Sequence, residues 1–562
     1  MSDPVETPPV YASFRDGLLM RAFYALLLCL FALVAHAKHV VQNWDVTYVT
    51  TNRDLNQTPK RGIGVNGKLP LPVVEAVLGD TLVLNVRNSL DTSTSLHSHG
   101  LFQRGTNYYD GVAMTTDCSI APGTNFTYYI KLEQAGTYWI HGHTHEHNFD
   151  GLRTPLIIHD PKDPNPVEKE FLFAAEDWWP ITFQESLAII MQQHGPGYPY
   201  TNPPYTLING FNGSLVEPLN FEPGKTYKVR LVSMMSLPLW EFVIDDHELM
   251  IVEVDGVATK PKAVSVVRLA PGQRVAVLVT AKPNRSMNYQ YHMTTFADYL
   301  PPIQGVYPQQ INSTVIYAAD APVFVPHAIP SEPFDELSIE ALEFMPTMAV
   351  DRSLFFNATY GFTSNDVPYE TFNLVAYESP KVPSMFSALT TGEMSLNSIT
   401  YGPATNAQVL RHGEVVEMVY WSATRVPHPQ HLHGHAFQVI EKGRTDDATG
   451  EFRRRVPEKG FSPMMRDTVM VYGGEYVIVR FKADNPGAWV MHCHFDWHLG
   501  QGLNMLFISA PQLMQETLKV PRSVVDQCTR QGIKVSGNVV GHNSFNIDGA
   551  PKPPGLIINR FY

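Results

Sequence analysis

A turn that leads into an alternating strand recurs three times along this chain, and it constrains the fold more than any other feature. Gly79-Asp80 opens Thr81-Leu82-Val83-Leu84-Asn85-Val86, Gly224 precedes Thr226-Tyr227-Lys228-Val229-Arg230-Leu231, and Gly413 precedes Glu414-Val415-Val416-Glu417-Met418-Val419. Successive side chains on a strand point to opposite faces, so apolarity with a period of two marks a sheet buried on one side. Each third repeats the device with a second turn, at Ala121-Pro122-Gly123, Ala270-Pro271-Gly272 and Gly473-Gly474. With 44 Pro and 38 Gly in 562 residues the chain is too rich in turns for a helical bundle. The pattern predicts all-β sandwiches or barrels. Three β domains are expected at 38–160, 161–325 and 345–530. Between the last two, a linker at 326–344 is expected to hold a short helix near Asp335 to Glu343, and 531–562 reads as a surface tail.

The chemistry concentrates in histidine. His492-Cys493-His494 is followed by His498. On an extended strand Cys493 faces one way and its two neighbours the other, so metal on both sides would be joined by a short covalent path. A His₂Cys set suits blue copper, and imidazole-rich sets suit further copper. Three more clusters occur: His97-Ser98-His99, His141-Gly142-His143, and His428-Pro429-Gln430-His431-Leu432-His433. A single H-x-H pair is more often an ordinary core or surface feature. Four clusters, two in the first domain and two in the third, predict a metal centre that those domains share.

Export is expected. Arg21 precedes the apolar run Ala22 to Ala35, and Ala35-His36-Ala37 offers a cleavage site, so 1–37 reads as a secretory signal with a mature start near Lys38. An uncleaved anchor from Leu18 to Ala37 is the alternative. No second membrane segment and no carboxyl-terminal anchor are expected. Of four cysteines, Cys29 lies in the signal and Cys493 in the metal motif, leaving Cys118 and Cys528 free to bridge. Sequons begin at Asn56, Asn125, Asn212, Asn284, Asn312 and Asn357, as on a glycosylated surface. A net charge of −13 without a basic run beyond the amino terminus argues against nucleic acid.

From residue 40 to 530 the chain resembles the multicopper oxidases, the family of laccases, ascorbate oxidases and fungal ferroxidases. Ser95-Leu96-His97-Ser98-His99-Gly100-Leu101-Phe102-Gln103, Gly136-Thr137-Tyr138-Trp139-Ile140-His141-Gly142-His143 and His431-Leu432-His433-Gly434-His435-Ala436-Phe437 carry the resemblance. The stretch from Phe481 through Gly502 is similar to the fungal ferroxidase and laccase branch. The resemblance implies three consecutive cupredoxin-like β-sandwich (Greek-key) domains and four copper ions: one type 1, one type 2 and two type 3. It assigns His428, Cys493 and His498 to the type 1 copper, and His97 and His431 to type 2. His99, His141, His143, His433, His492 and His494 fall to the type 3 pair. Leu503 takes the axial position beside the type 1 copper, where an aliphatic side chain cannot donate and the potential should rise. His435 reads as structural, Met505 as core, and the family's cysteine pairing supports Cys118–Cys528. By the same resemblance electrons enter at His498, pass through Cys493 and its flanking histidines, and reduce O₂ to water. Asp110 and Asp496 match family acids that serve the proton supply, although an Asp-Gly such as Asp110-Gly111 also commonly caps a turn.

The reducing substrate is less constrained. Ferroxidases of this branch place carboxylates around the type 1 histidine, while laccases offer an apolar pocket with one acid. Asp177, in Asp177-Trp178-Trp179-Pro180, matches the segment that supplies a substrate acid. Glu393 and Asp298 are weaker matches to two further ferroxidase acids. Trp178, Trp179 and the stretch Pro196 to Tyr205 are either aromatic walls for a phenol or ordinary packing. The expected activity is that of a secreted, monomeric laccase-like oxidase of phenols, aromatic polyketides among them, with a ferroxidase as the alternative. A non-enzymatic copper protein is the minor alternative. His145 and His147, outside the family ligand set, read as surface residues.

Overall fold

The computed structural model describes residues 37–53, 59–192, 205–211, 216–296, 309–329, 335–424, 426–444 and 460–557. The signal segment up to residue 36, Asp298, and the sequons at Asn56 and Asn212 therefore lie outside the described residues.

The three alternating repeats occupy equivalent places in three sandwiches. Thr81–Asn88 runs parallel to His39–Thr51, Thr226–Ser233 to Glu170–Trp178, and Val415–Ser422 to Arg352–Phe362. The second turn of each third returns an antiparallel partner to its repeat strand: Asn125–Lys131, Arg274–Thr280 and Glu475–Lys482. Paired sheets of four and four, six and five, and six and five strands result. This is the expected all-β fold of three cupredoxin-like sandwiches. The third sandwich shares a core with each of the others. Val490, Leu506 and Met514 pack with Tyr128 and Leu156 of the first, while Phe437, Met491 and Trp497 join Trp240 and Phe242 of the second.

The strands Leu96–His99, Gly136–Gly142, His428–Leu432 and Gly487–Cys493 depart from half-buried alternation, because every residue in them is buried. They lie where the first and third sandwiches meet, so neither face reaches water. Histidines on such strands need partners or ligands to offset their desolvation.

Two expectations need correction. The linker holds no α-helix among its described residues but a single 3-10 turn, Glu336–Ser338, capped by the Asp335 carboxylate on the Leu337 amide. Glu336 is anchored there by Arg466 and Lys442, so tertiary ion pairs set the local conformation. Nor does the tail beyond Cys528 only coat the surface. Asn538 and Val539 are buried, the Val539 amide donates to Thr400, and Ile557 exchanges backbone hydrogen bonds with Phe362.

Candidate metal centre

Strand pairing brings the histidines together in a way that spacing alone does not reveal. His97 stands opposite His141 in one antiparallel pair, and His431 opposite His492 in another. Their donor atoms gather into three neighbouring groups: His97 with His99 and His431, His99 with His141 and His494, and His143 with His433 and His492. Within each group the donor atoms lie within 4.8 Å of one another. The first and third sandwiches thus contribute to every group, as the sequence predicts. A fourth group, His428, Cys493 and His498, forms on the other face of the Gly487–Cys493 strand.

Hydrogen bonds select which ring nitrogen faces inward, as outer partners do at metal sites. Nδ1 of His97 donates to the Asp110 carbonyl at 2.8 Å, and Nδ1 of His433 to the Asp110 carboxylate at 2.9 Å. Nδ1 of His431 donates to the Asp467 carbonyl at 2.9 Å, and Nδ1 of His492 to the Cys493 carbonyl at 2.8 Å. His99 is reversed: Nε2 faces the Asp467 carboxylate at 3.1 Å, which leaves Nδ1 beside Nε2 of His494 at 3.3 Å. Each carboxylate serves one stacked pair of rings drawn from both domains. Asp110 backs His97 and His433, 3.9 Å apart, and Asp467 backs His99 and His431, 3.8 Å apart.

These residues fit copper on three observations. Nε2 of His97, His141, His143 and His431 is buried with no hydrogen-bond partner among the described residues. Such orphaned polar atoms are costly unless something binds them. Burial, reinforced by neighbouring imidazoles, holds His99, His141, His143, His433 and His492 well below the usual histidine range, so their lone pairs are available near neutral pH. At the fourth group, Nδ1 of His428 and of His498 approach to 3.1 Å, and both converge on the Cys493 sulfur, at 3.7 and 3.4 Å. That is the His₂Cys set of a blue-copper site. Burial pushes the Cys493 thiol upward, so a bound cation has to displace its proton. Leu503 spans this group through its backbone, accepting from the Cys493 amide and donating to the His498 carbonyl.

The acids divide by environment. Asp110 stands on a turn in which Gly111 has φ +79°, and a Cβ there would come within 2.0 Å of the Leu96 carbonyl. Only glycine lets the turn approach the histidine strand this closely. Asp496 opens the short helix Asp496–Gly500 and accepts from the Asn148 amide at 3.2 Å. Burial raises it to about 7 against the lowering effect of its hydrogen-bond partners. Asp177 is fully buried. It accepts from the amides of Ser236 and Leu237 and pairs with Arg153 at 3.4 Å. Glu393 is exposed on the turn Gly392–Leu396. Trp178 and Trp179 are core residues, Trp179 meeting Trp497 edge-on at 4.7 Å. His147 is buried, not at the surface, and bonds Thr94, whereas His145 is exposed.

Two acids that touch the histidine groups escaped the sequence reading. Asp467 is one, and Arg466-Asp467, a charged pair leading into an apolar strand, was its only trace. Glu370 is the other. It is buried on the strand Pro368–Phe372, with Oε1 4.0 Å from Nε2 of His498 and Oε2 lacking a hydrogen-bond partner among the described residues. A cavity of about 620 Å³ runs elsewhere, past Glu146, Gln501 and Asn504 to the half-buried His143.

Comparison with known proteins agrees with this geometry. Family models described as multicopper oxidase match residues 45–163, 169–311 and 377–513. The iron multicopper oxidase fer1 of Mycosarcoma maydis is 34% identical over 567 residues, covering 94% of this chain and 89% of that protein. The iron transport multicopper oxidase fio1 of Schizosaccharomyces pombe is 34% identical, with 94% and 86% covered. Among solved structures, Fet3p, a multicopper oxidase that functions in iron import, superposes with a TM-score of 0.83 at 29% identity, covering 92% of this chain and 99% of that one. A laccase from Botrytis aclada gives 0.73 at 25% identity, covering 89% and 93%.

Proposed function

Because this chain belongs to the multicopper oxidase family, and so couples oxidation of a reducing substrate to reduction of O₂, we propose that the substrate it oxidises is Fe(II). The observation that carries this reading is Glu370. A carboxyl oxygen 4.0 Å from Nε2 of His498 offers a divalent cation a hard ligand at the edge where electrons are received. Relatives named as iron or iron transport multicopper oxidases, at 31–34% identity over nearly the whole chain, support it. This reverses the expectation of a phenol oxidase drawn from sequence.

His428, Cys493 and His498 would hold one copper, and the eight histidines gathered between the first and third sandwiches would hold the remainder as the family motif assigns them. Copper bound there supplies one-electron redox chemistry and the reduction of O₂. The chain does the rest. Cys493 is bonded directly to His492 and His494, so the two donor groups are joined by one stretch of backbone. Asp110 fixes the rings of His97 and His433. Asp496, raised to about 7 by burial, can hold and move a proton beside the ligand strand. Glu146, raised to about 8 by burial and by the charge of Asp496, lines the cavity that reaches His143 and can resupply it.

A phenol remains the second reading, favoured by one observation. Burial raises Glu370 well above the carboxylate range, so a cation must displace its proton, whereas a phenol need only share a hydrogen bond. Oxygen uptake by copper-loaded protein separates the two. A higher kcat/KM for Fe(II) than for phenols and naphthols, with the KM for Fe(II) raised in Glu370→Gln, is expected. A preference for phenols overturns the iron reading. An exported oxidase is consistent with the Cys118–Cys528 disulfide, since such bonds persist in oxidising compartments. No described helix is long and apolar enough to cross a membrane.

A further inference from the structure

Among the described residues the middle sandwich supplies none of the clustered histidines, yet it reaches the centre of the cluster through Arg274. This residue opens the strand Arg274–Thr280 and is fully buried. Its guanidinium grips the Asp467 carboxylate with two parallel bonds, Nη1 to Oδ1 at 2.8 Å and Nη2 to Oδ2 at 2.7 Å. Nε donates to the Thr137 carbonyl of the first sandwich at 3.0 Å, and Nη1 also to the Gly272 carbonyl at 2.9 Å. One side chain therefore touches all three sandwiches. Beyond it, the same Asp467 carboxylate meets Nε2 of His99 at 3.1 Å and Nδ1 of His431 at 3.5 Å. Gly272, two residues earlier at φ +85°, lies so close that a Cβ would come within 2.8 Å of the His494 ring and 3.1 Å of His99.

We propose that Arg274 is a positioning residue for the metal cluster, clamping Asp467 so that His99 and His431 are presented to copper. A carboxylate beside two imidazoles could otherwise rotate and bond only one of them. The bidentate clamp removes that freedom, because a guanidinium and a carboxylate match in a single plane. The same clamp makes cluster assembly depend on docking of the middle sandwich, since Arg274 meets Asp467 only when the two domains are in register. The type 1 group has no part in this network.

The test is copper retention in Arg274→Met. Purified protein is loaded with copper, dialysed against a graded chelator, and assayed for copper content, the blue visible band and the type 2 paramagnetic resonance signal. Outer partners of metal ligands are worth about 10- to 100-fold in affinity, so the type 2 signal should disappear at a correspondingly lower chelator concentration while the blue band persists. Arg274→Lys, which keeps the charge but not the fork, should fall between the two and serves if the Met variant does not fold. Arg466→Met is the control. Arg466 is equally buried and bonds Asp255 and Glu336, but its guanidinium does not hold the Asp467 carboxylate. Equal loss of type 2 copper in Arg466→Met, parallel loss of the blue band in Arg274→Met, or retention of all copper in Arg274→Met would each overturn the proposal. None of these readouts depends on which substrate is oxidised.

Discussion

Asp177 and Glu370 have surroundings that their sequence contexts do not foretell. Asp177 sits in a motif associated with substrate, and its oxygens are occupied by two backbone amides and Arg153. Glu370 sits in an unremarkable strand and lies beside His498. No local signal separates them, because what differs is the set of atoms brought up by distant segments. Asp467 was hidden for a similar reason, since one of the two histidines it backs, His99, is 368 residues away. The histidine clusters were legible because alternation puts H-x-H imidazoles on one face of a strand, and their assignment as eleven ligands is what the resemblance implies. Asp117 shows the cost of a buried acid whose Oδ1 has no hydrogen-bond partner among the described residues. Burial, then the charge of Asp110, raises it from 3.8 to about 7. The folded protein keeps a proton that the unfolded chain releases, so the stability this group contributes falls as pH rises from 3.8 to about 7 and is level above that. Asp117→Asn should therefore gain in thermal stability over the native protein at pH 8 more than at pH 5, and equal differences at both would exclude this. Leu503→Met, offering copper a sulfur donor in place of an aliphatic group, is expected to lower the type 1 potential in a redox titration.

Among elements, the strands were legible and the irregular segments were not. Alternation marked Thr81–Asn88, Thr226–Ser233 and Val415–Ser422, since burial on one face writes itself into a period of two. The expected linker helix is reduced to the 3-10 turn Glu336–Ser338, where Glu336 is held by Arg466 and Lys442. The Asp110-Gly111 turn is an element whose shape serves the metal centre directly. Gly111→Ala puts a side chain at φ +79° and into the Leu96 carbonyl. The strain should cost about 1–3 kcal/mol and move Asp110 from His433. Lower thermal stability together with weaker type 3 copper retention is the expected result, and unchanged copper retention would detach Asp110 from the cluster.

Over the whole molecule, the third sandwich is the hub. It shares cores with both of its neighbours and half of the histidine array, and the Cys118–Cys528 disulfide ties its last helix to the first sandwich across 410 residues. Closing so long a loop restricts the unfolded chain. The double variant Cys118→Ser, Cys528→Ser is expected to lose about 2–4 kcal/mol of stability, read as a lower unfolding midpoint, with the blue band retained in the folded protein. The histidine groups draw on both the first and the third sandwich, so copper bound there would link the two domains.

The claim that electrons enter from Fe(II) at the His498–Glu370 edge is tested most directly by stopped-flow mixing without O₂. Copper-loaded protein is mixed with Fe(II), or with a phenol, and bleaching of the blue band is followed. Rapid bleaching by Fe(II), slowed about tenfold in Glu370→Gln as expected for loss of one charge-assisted contact, is the anticipated result. Faster bleaching by the phenol, with Glu370→Gln leaving the Fe(II) rate unchanged, would contradict it.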